Sequence, residues 1–159
     1  LAVGMSWVES RADAGLSNAA REVLAKVGAV MPPPLAPMLI ERTVAAPVFG
    51  RSPAIDGVDV ALIRQAVRER RKVRLDYTDE KGERTRRVVW PLAIGYFELS
   101  RILVAWCEMR AAFRHFRTDR MTGAHVEPGR YPGSRAKLMQ AWRESEAIYS
   151  CRNVTASRN

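Results

Sequence analysis

Four arginines, Arg110, Arg114, Arg117 and Arg120, fall within eleven residues, and the only acids close to them are Glu108 and Asp119. A guanidinium is a planar fork of donors that matches two phosphate oxygens at once, and it keeps its charge at any physiological pH. Phe113 and Phe116 are interleaved with these arginines, and Tyr77 adds a third ring. Bases stack on such rings, so the set suits a nucleotide or a short single strand. An internal use fits the same residues: Arg117 or Arg120 paired with Asp119 or Glu108 would tie strand ends together. As a strand, residues 113–120 put Phe113, His115, Arg117 and Asp119 on one face and Arg114, Phe116, Thr118 and Arg120 on the other. Neither face is cleanly apolar.

Other chemistries find little support. There is no nucleophile elbow, no Gly-rich loop opening a helix and no pair of histidines at zinc-binding spacing, so neither a cofactor nor a metal is expected. His115 and His125 are the only histidines, and neither has a nucleophile beside it. Both read as surface or structural residues. Asp76, Asp79, Glu80 and Glu83 flank a turn and alternate with basic residues, which suits solvated pairs better than a metal site. An enzyme is not expected.

The 159 residues carry 26 Lys and Arg against 17 Asp and Glu, a net charge of +9. Such an excess favours anionic partners, and it also serves solubility. Two cysteines, Cys107 and Cys151, make no disulfide framework, which fits a reducing compartment. Cys107 lies in an apolar run and reads as a small core residue. No run approaches the length of a membrane span, and the first residues are too short for a signal segment, so a cytoplasmic location is expected. The chain opens on Leu1, which suggests a missing upstream part.

The elements that would position the arginines follow from periodicity. Leu16, Ala20, Val23, Leu24 and Val27 form a helical stripe with Asp13 or Ser17 able to cap it, and the prolines after Met31 end it. Residues 1–35 are thus a helical connector, and the proline-punctuated residues 36–57 a linker. Asp59 opens a second helix with Val60, Ile63, Ala66 and Val67 inward. Val73, Leu75 and Tyr77 then alternate with Lys72, Arg74 and Asp76 as a half-buried strand. A turn at residues 79–82 leads to a second strand over 84–97, in which Pro91 must take an edge, bend or end. A third strand covers 101–107, the arginine-rich stretch is the fourth, and a fifth lies around 125–127. Leu138, Ala141, Trp142 and Tyr149 mark a closing helix over 133–149, with a disordered tail at 150–159. The expected fold is α+β, a helical connector followed by a small curled sheet or barrel and a final helix.

The run PLAIGYFELSRILVAWCEMR at 91–110, followed by FRHFRTDRM at 113–121, resembles the ligand-sensing domain of WYL-domain transcriptional regulators, in particular the YafY-type, DeoR-like branch. KVRLDYT at 72–78 and RRVVWP at 86–91 match the start of that domain, and AKVGAVMP at 25–32 is similar to the connector after the winged helix. The resemblance implies a WYL effector-sensing domain at 58–132 with a small Sm-like or SH3-like barrel. Nucleotides or nucleic acid are the ligands it suggests, with Tyr77, Arg110, Arg114, Arg117 and Arg120 lining the site, while Phe116 and Leu103 belong to the core. It further implies a homodimer that contacts promoter DNA through a winged helix-turn-helix not recognised in this chain. One departure is plain: the Trp-Tyr-Leu of the family is here Arg101, Ile102 and Leu103. The competing reading is a dimerisation or protein-interaction module with no ligand of its own.

Overall fold

The computed structural model describes residues 2–34, 56–97 and 100–156. They divide into two units, one comprising the described part of 1–54 with 96–100, the other the described part of 55–95 with 101–159. Most of the expected linker, and residues 157–159 of the expected tail, lie outside the described residues.

In the first unit, helix α1 (Ala2–Arg11) and helix α2 (Ala14–Val30) form a hairpin. Asp13 caps α2 by accepting from the amides of Gly15 and Leu16 at 3.1 and 3.4 Å, which satisfies donors that the first helical turn leaves free. Ser17, buried inside α2, donates its hydroxyl to the Glu9 carbonyl of α1 at 2.9 Å.

The second unit opens with helix α3 (Val60–Glu69), capped by Asp59, whose carboxylate accepts from the Ala61 amide at 2.9 Å. Its apolar stripe, Val60, Ile63, Ala66 and Val67, is buried. Arg70 takes a left-handed conformation (φ 56°) that stops the helix, and the chain passes at once into strand β1 (Arg71–Thr78). Strands β2 (Arg84–Tyr96), β3 (Arg101–Cys107), β4 (Ala112–Arg117) and β5 (Met121–Arg130) follow, with a 3-10 turn (Thr118–Arg120) between the last two. Helix α4 (Arg135–Ala156) closes the chain. It extends past Tyr149, where the apolar pattern ends, so residues 150–156 are helical where a disordered tail was expected.

The five strands form one sheet in the order β4-β3-β2-β1-β5. The β1–β2, β1–β5 and β3–β4 pairings are antiparallel. β4 and β5 are its edges, so these pairings do not close a barrel. The sheet nevertheless has to curl. Only four residue steps separate Arg117 at the end of β4 from Met121 at the start of β5, a reach of at most about 14 Å, whereas the opposite edges of a flat five-stranded sheet lie about 19 Å apart. Into the concave side pack Val73, Leu75, Val89, Leu103, Ala105, Phe116 and Met121 together with Ile63 and Ala66 of α3.

Two local features refine the sequence expectations. Pro91 sits inside β2 and is fully buried. The β1–β2 register runs from Thr78↔Arg84 to Val73↔Val89, so Pro91 lies beyond it and its missing donor breaks none of those pairs. The fifth strand is longer than expected, because β5 follows β1 almost to its beginning, from Tyr77↔Met121 to Arg71↔Arg130. Gly57 approaches β5 so closely that a Cβ there would overlap the Met121 carbonyl oxygen, and its amide donates to the Thr118 carbonyl at 3.3 Å.

Candidate anion-binding site

β3 and β4 form a hairpin whose turn presents Arg110. The Ala111 amide donates to the Glu108 carbonyl at 3.3 Å, and Ala111 adopts φ 45°. Arg110 is exposed at the turn and has no ion-pair partner among the described residues. On β4, Arg114 lies opposite Ala105 and Phe116 opposite Leu103. Cross-strand partners share a face, so Arg114 belongs to the concave side with Phe116. It stays exposed and likewise lacks a partner among the described residues.

Arg117 and Arg120 are differently placed. The Arg117 fork meets Asp119 with both arms, Nε to Oδ1 at 3.0 Å and Nη2 to Oδ2 at 2.8 Å. That hydrogen-bonded pairing holds the Asp119 carboxyl below its ordinary range and raises Arg117. Arg120 donates to Glu80 at 3.0 Å, which raises its pKa. Tyr77 lies close to both cations. Tyr77 itself is nearly buried, its ring set edge-on against Phe116 with centroids 5.2 Å apart. Tyr77, Arg117 and Arg120 thus come together at one place, while Arg110 and Arg114 stand on the β3–β4 hairpin.

The interleaved phenylalanines separate. Phe116 is a core residue, as is Leu103, while Phe113 packs edge-on against Trp106 on the outer face at 5.0 Å. His115 also faces outward, with its ring 6.0 Å from Trp142 and its Nε2 3.9 Å from Glu146, both on α4. Residues 118–120 leave the strand, so the alternation that holds through Arg117 does not extend to Asp119 and Arg120.

Glu108 pairs with neither Arg117 nor Arg120. It accepts from Lys72 Nζ at 2.6 Å and from Trp90 Nε1 at 2.7 Å, and these bonds lower its pKa. The Lys72 ammonium also lies over the Trp90 ring, 5.7 Å from its centroid.

Arg87 escaped the reading of the arginine cluster. It lies opposite Leu75 in the β1–β2 register, on the concave side, where its Nε donates to Thr85 Oγ1 at 2.9 Å. The signal was available in the alternation of β2: Arg87 shares the parity of Val89, so a cation takes a position the pattern reserves for an apolar side chain.

Arg101, which stands where the resembling family has tryptophan, is a partly buried ion-pairing residue. Its guanidinium meets the Asp56 carboxylate, and both side chains are 13% exposed. The fully buried Thr118 donates its hydroxyl to the same carboxylate and lies 3.2 Å from the Arg101 carbonyl. Charges taken out of water persist only when paired and hydrogen-bonded, and Asp56 meets that requirement. The departure from the family motif is thereby built into the fold.

No curated protein matches the chain. A solved structure described as Proteasome accessory factor B/C (PafBC) of Arthrobacter aurescens is similar at 35% sequence identity and a TM-score of 0.42, over 48% of this chain and 12% of that one. The chain therefore spans a small fraction of that protein's length. The family model described as the WYL domain matches residues 59–126, which run from the cap of α3 into β5.

Proposed function

We propose that this chain is the effector-sensing portion of a DNA-binding transcriptional regulator and that it binds a nucleotide or nucleic-acid-like anion through its arginines. The WYL domain match carries the regulator reading. The ligand reading rests on Arg110 and Arg114, two exposed cations on one hairpin without a carboxylate partner among the described residues. An anion can engage them without first breaking an internal pair. Arg117 and Arg120 would join only by exchanging Asp119 and Glu80 for the ligand, with Tyr77 at the junction.

The finer parts of the proposal are the YafY-type, DeoR-like branch, a barrel-like sensing domain, a homodimer, and promoter contact through a winged helix-turn-helix other than the elements described here. A cytoplasmic setting suits such a regulator; among the described residues no helix is long and apolar enough to cross a membrane. The proposed role is binding and not catalysis, because the site gathers guanidiniums instead of a nucleophile with its base. Titration of a labelled single-stranded oligonucleotide with the chain tests the proposal, with light scattering in parallel. Saturable binding supports it. A stable dimer that ignores oligonucleotide even at low salt favours a dimerisation module instead.

A further inference from the structure

The β1–β2 hairpin and β5 border a second feature, an open cavity of about 350 Å³ lined by Asp76, Tyr77, Arg84, Thr85, Arg86 and Thr122. In the sheet register Asp76 has Arg86 on one side and Gly123 on the other. Arg86 Nε donates to Asp76 Oδ1 at 2.8 Å, and the rest of the Arg86 fork faces solvent, since its side chain is 70% exposed. Asp76 Oδ2 leans over Gly123, where a Cβ would stand only 2.8 Å away. The glycine thus makes room for a carboxylate oxygen that keeps its acceptor capacity.

Arg84 is exposed and has no ion-pair partner among the described residues. It shares a strand face with Arg86, two residues along, a spacing of about 7 Å. Two guanidinium forks at that spacing can close on one phosphate. Two guanidiniums against one carboxylate leave the lining net positive. The volume suits a compact ligand and not a polymer.

We propose that this cavity is a second ligand site, which takes a small phosphate monoester whose phosphate bridges Arg84 and Arg86 and whose hydroxyl group donates to Asp76. The site does not involve Arg110 or Arg114, and it stands whether or not these bind an oligonucleotide. The test is isothermal titration of the full chain with ribose 5-phosphate, with ribose and inorganic phosphate as comparison probes. Saturable binding of the sugar phosphate is expected, with inorganic phosphate weaker and ribose silent. Arg84→Ala should weaken it by about tenfold or more, the worth of a charge-assisted contact, and Lys137→Ala, which removes an exposed cation of α4, should leave it unchanged. Arg84 makes no internal pair, so its removal leaves the fold intact, which circular dichroism verifies. Absence of saturable binding, equal binding of inorganic phosphate, or an Arg84→Ala variant that binds like the parent would each overturn the proposal.

Discussion

Arg117 and Asp119 face each other fork to fork, with bonds of 3.0 and 2.8 Å across a 3-10 turn that begins at Thr118. The pair fixes the corner through which the chain passes from one edge of the sheet to the other. It also divides the arginine cluster into cations already matched inside the protein and cations still open to a partner.

The pairing lowers the Asp119 pKa below its ordinary value, so its stabilising effect is present at neutral pH. It is lost as pH falls through the depressed folded-state value, below the ordinary aspartate range. Asp119→Asn should remove that acid-side loss. The cost at neutral pH should be about 1 kcal/mol, because Arg117 is 40% exposed and solvent screens the pair. Urea unfolding at neutral and acidic pH measures both effects.

Glu108 should report its own titration through Trp90. The carboxylate holds the indole N–H at 2.7 Å, and Lys72 and Trp90 lower its pKa. Intrinsic tryptophan fluorescence should stay constant from neutral pH down to the ordinary glutamate range and change below it. In Glu108→Gln that acid-side change should be absent.

Removing the Asp56 carboxylate breaks its largely buried ion pair with Arg101 and takes away one of the two acceptors of the Thr118 hydroxyl. Asp56→Ala should therefore cost about 3 kcal/mol, the penalty of breaking a desolvated pair by removing one partner. Adding Arg101→Met to it should recover part of the loss, because the guanidinium that lost its carboxylate is then gone. Chemical denaturation of the two single variants and the double variant closes the cycle.

Leu75 and Leu103 are fully buried on the concave face of the sheet. Each Leu→Ala change should destabilise the domain by about 2–5 kcal/mol through the cavity it leaves. Denaturant midpoints check the size. A loss well below that range at both sites would mean that the curled sheet is not packed as described.

What the sequence disclosed depended on the range of the interaction. The caps Asp13 and Asp59 are local, and so is the alternation of β1, where Val73, Leu75 and Tyr77 face the core. The Arg117–Asp119 pair, two residues apart, was within reach of the same reasoning. Glu108 was not: its partners Lys72 and Trp90 lie 36 and 18 residues away, and only the register of the folded sheet brings them together. The Asp56–Arg101 pair spans 45 residues, so nothing near Arg101 explains why an arginine belongs there. The alternation of β4 misled beyond Arg117, because a 3-10 turn does not keep strand parity. Arg87 was hidden by its company, one basic residue among several on β2.

The most direct test of the proposed function is fluorescence anisotropy of a short labelled single-stranded DNA titrated with this chain over a range of salt, with duplex of the same sequence as the control. Salt-sensitive binding that prefers the single strand is expected. In Arg110→Ala with Arg114→Ala it should weaken, and the slope of log affinity against log salt should flatten by about 1.4, the loss of two single-strand phosphate contacts. Affinity and slope unchanged in that double variant, with the fold intact, would refute the arginine site and return these arginines to an unliganded surface.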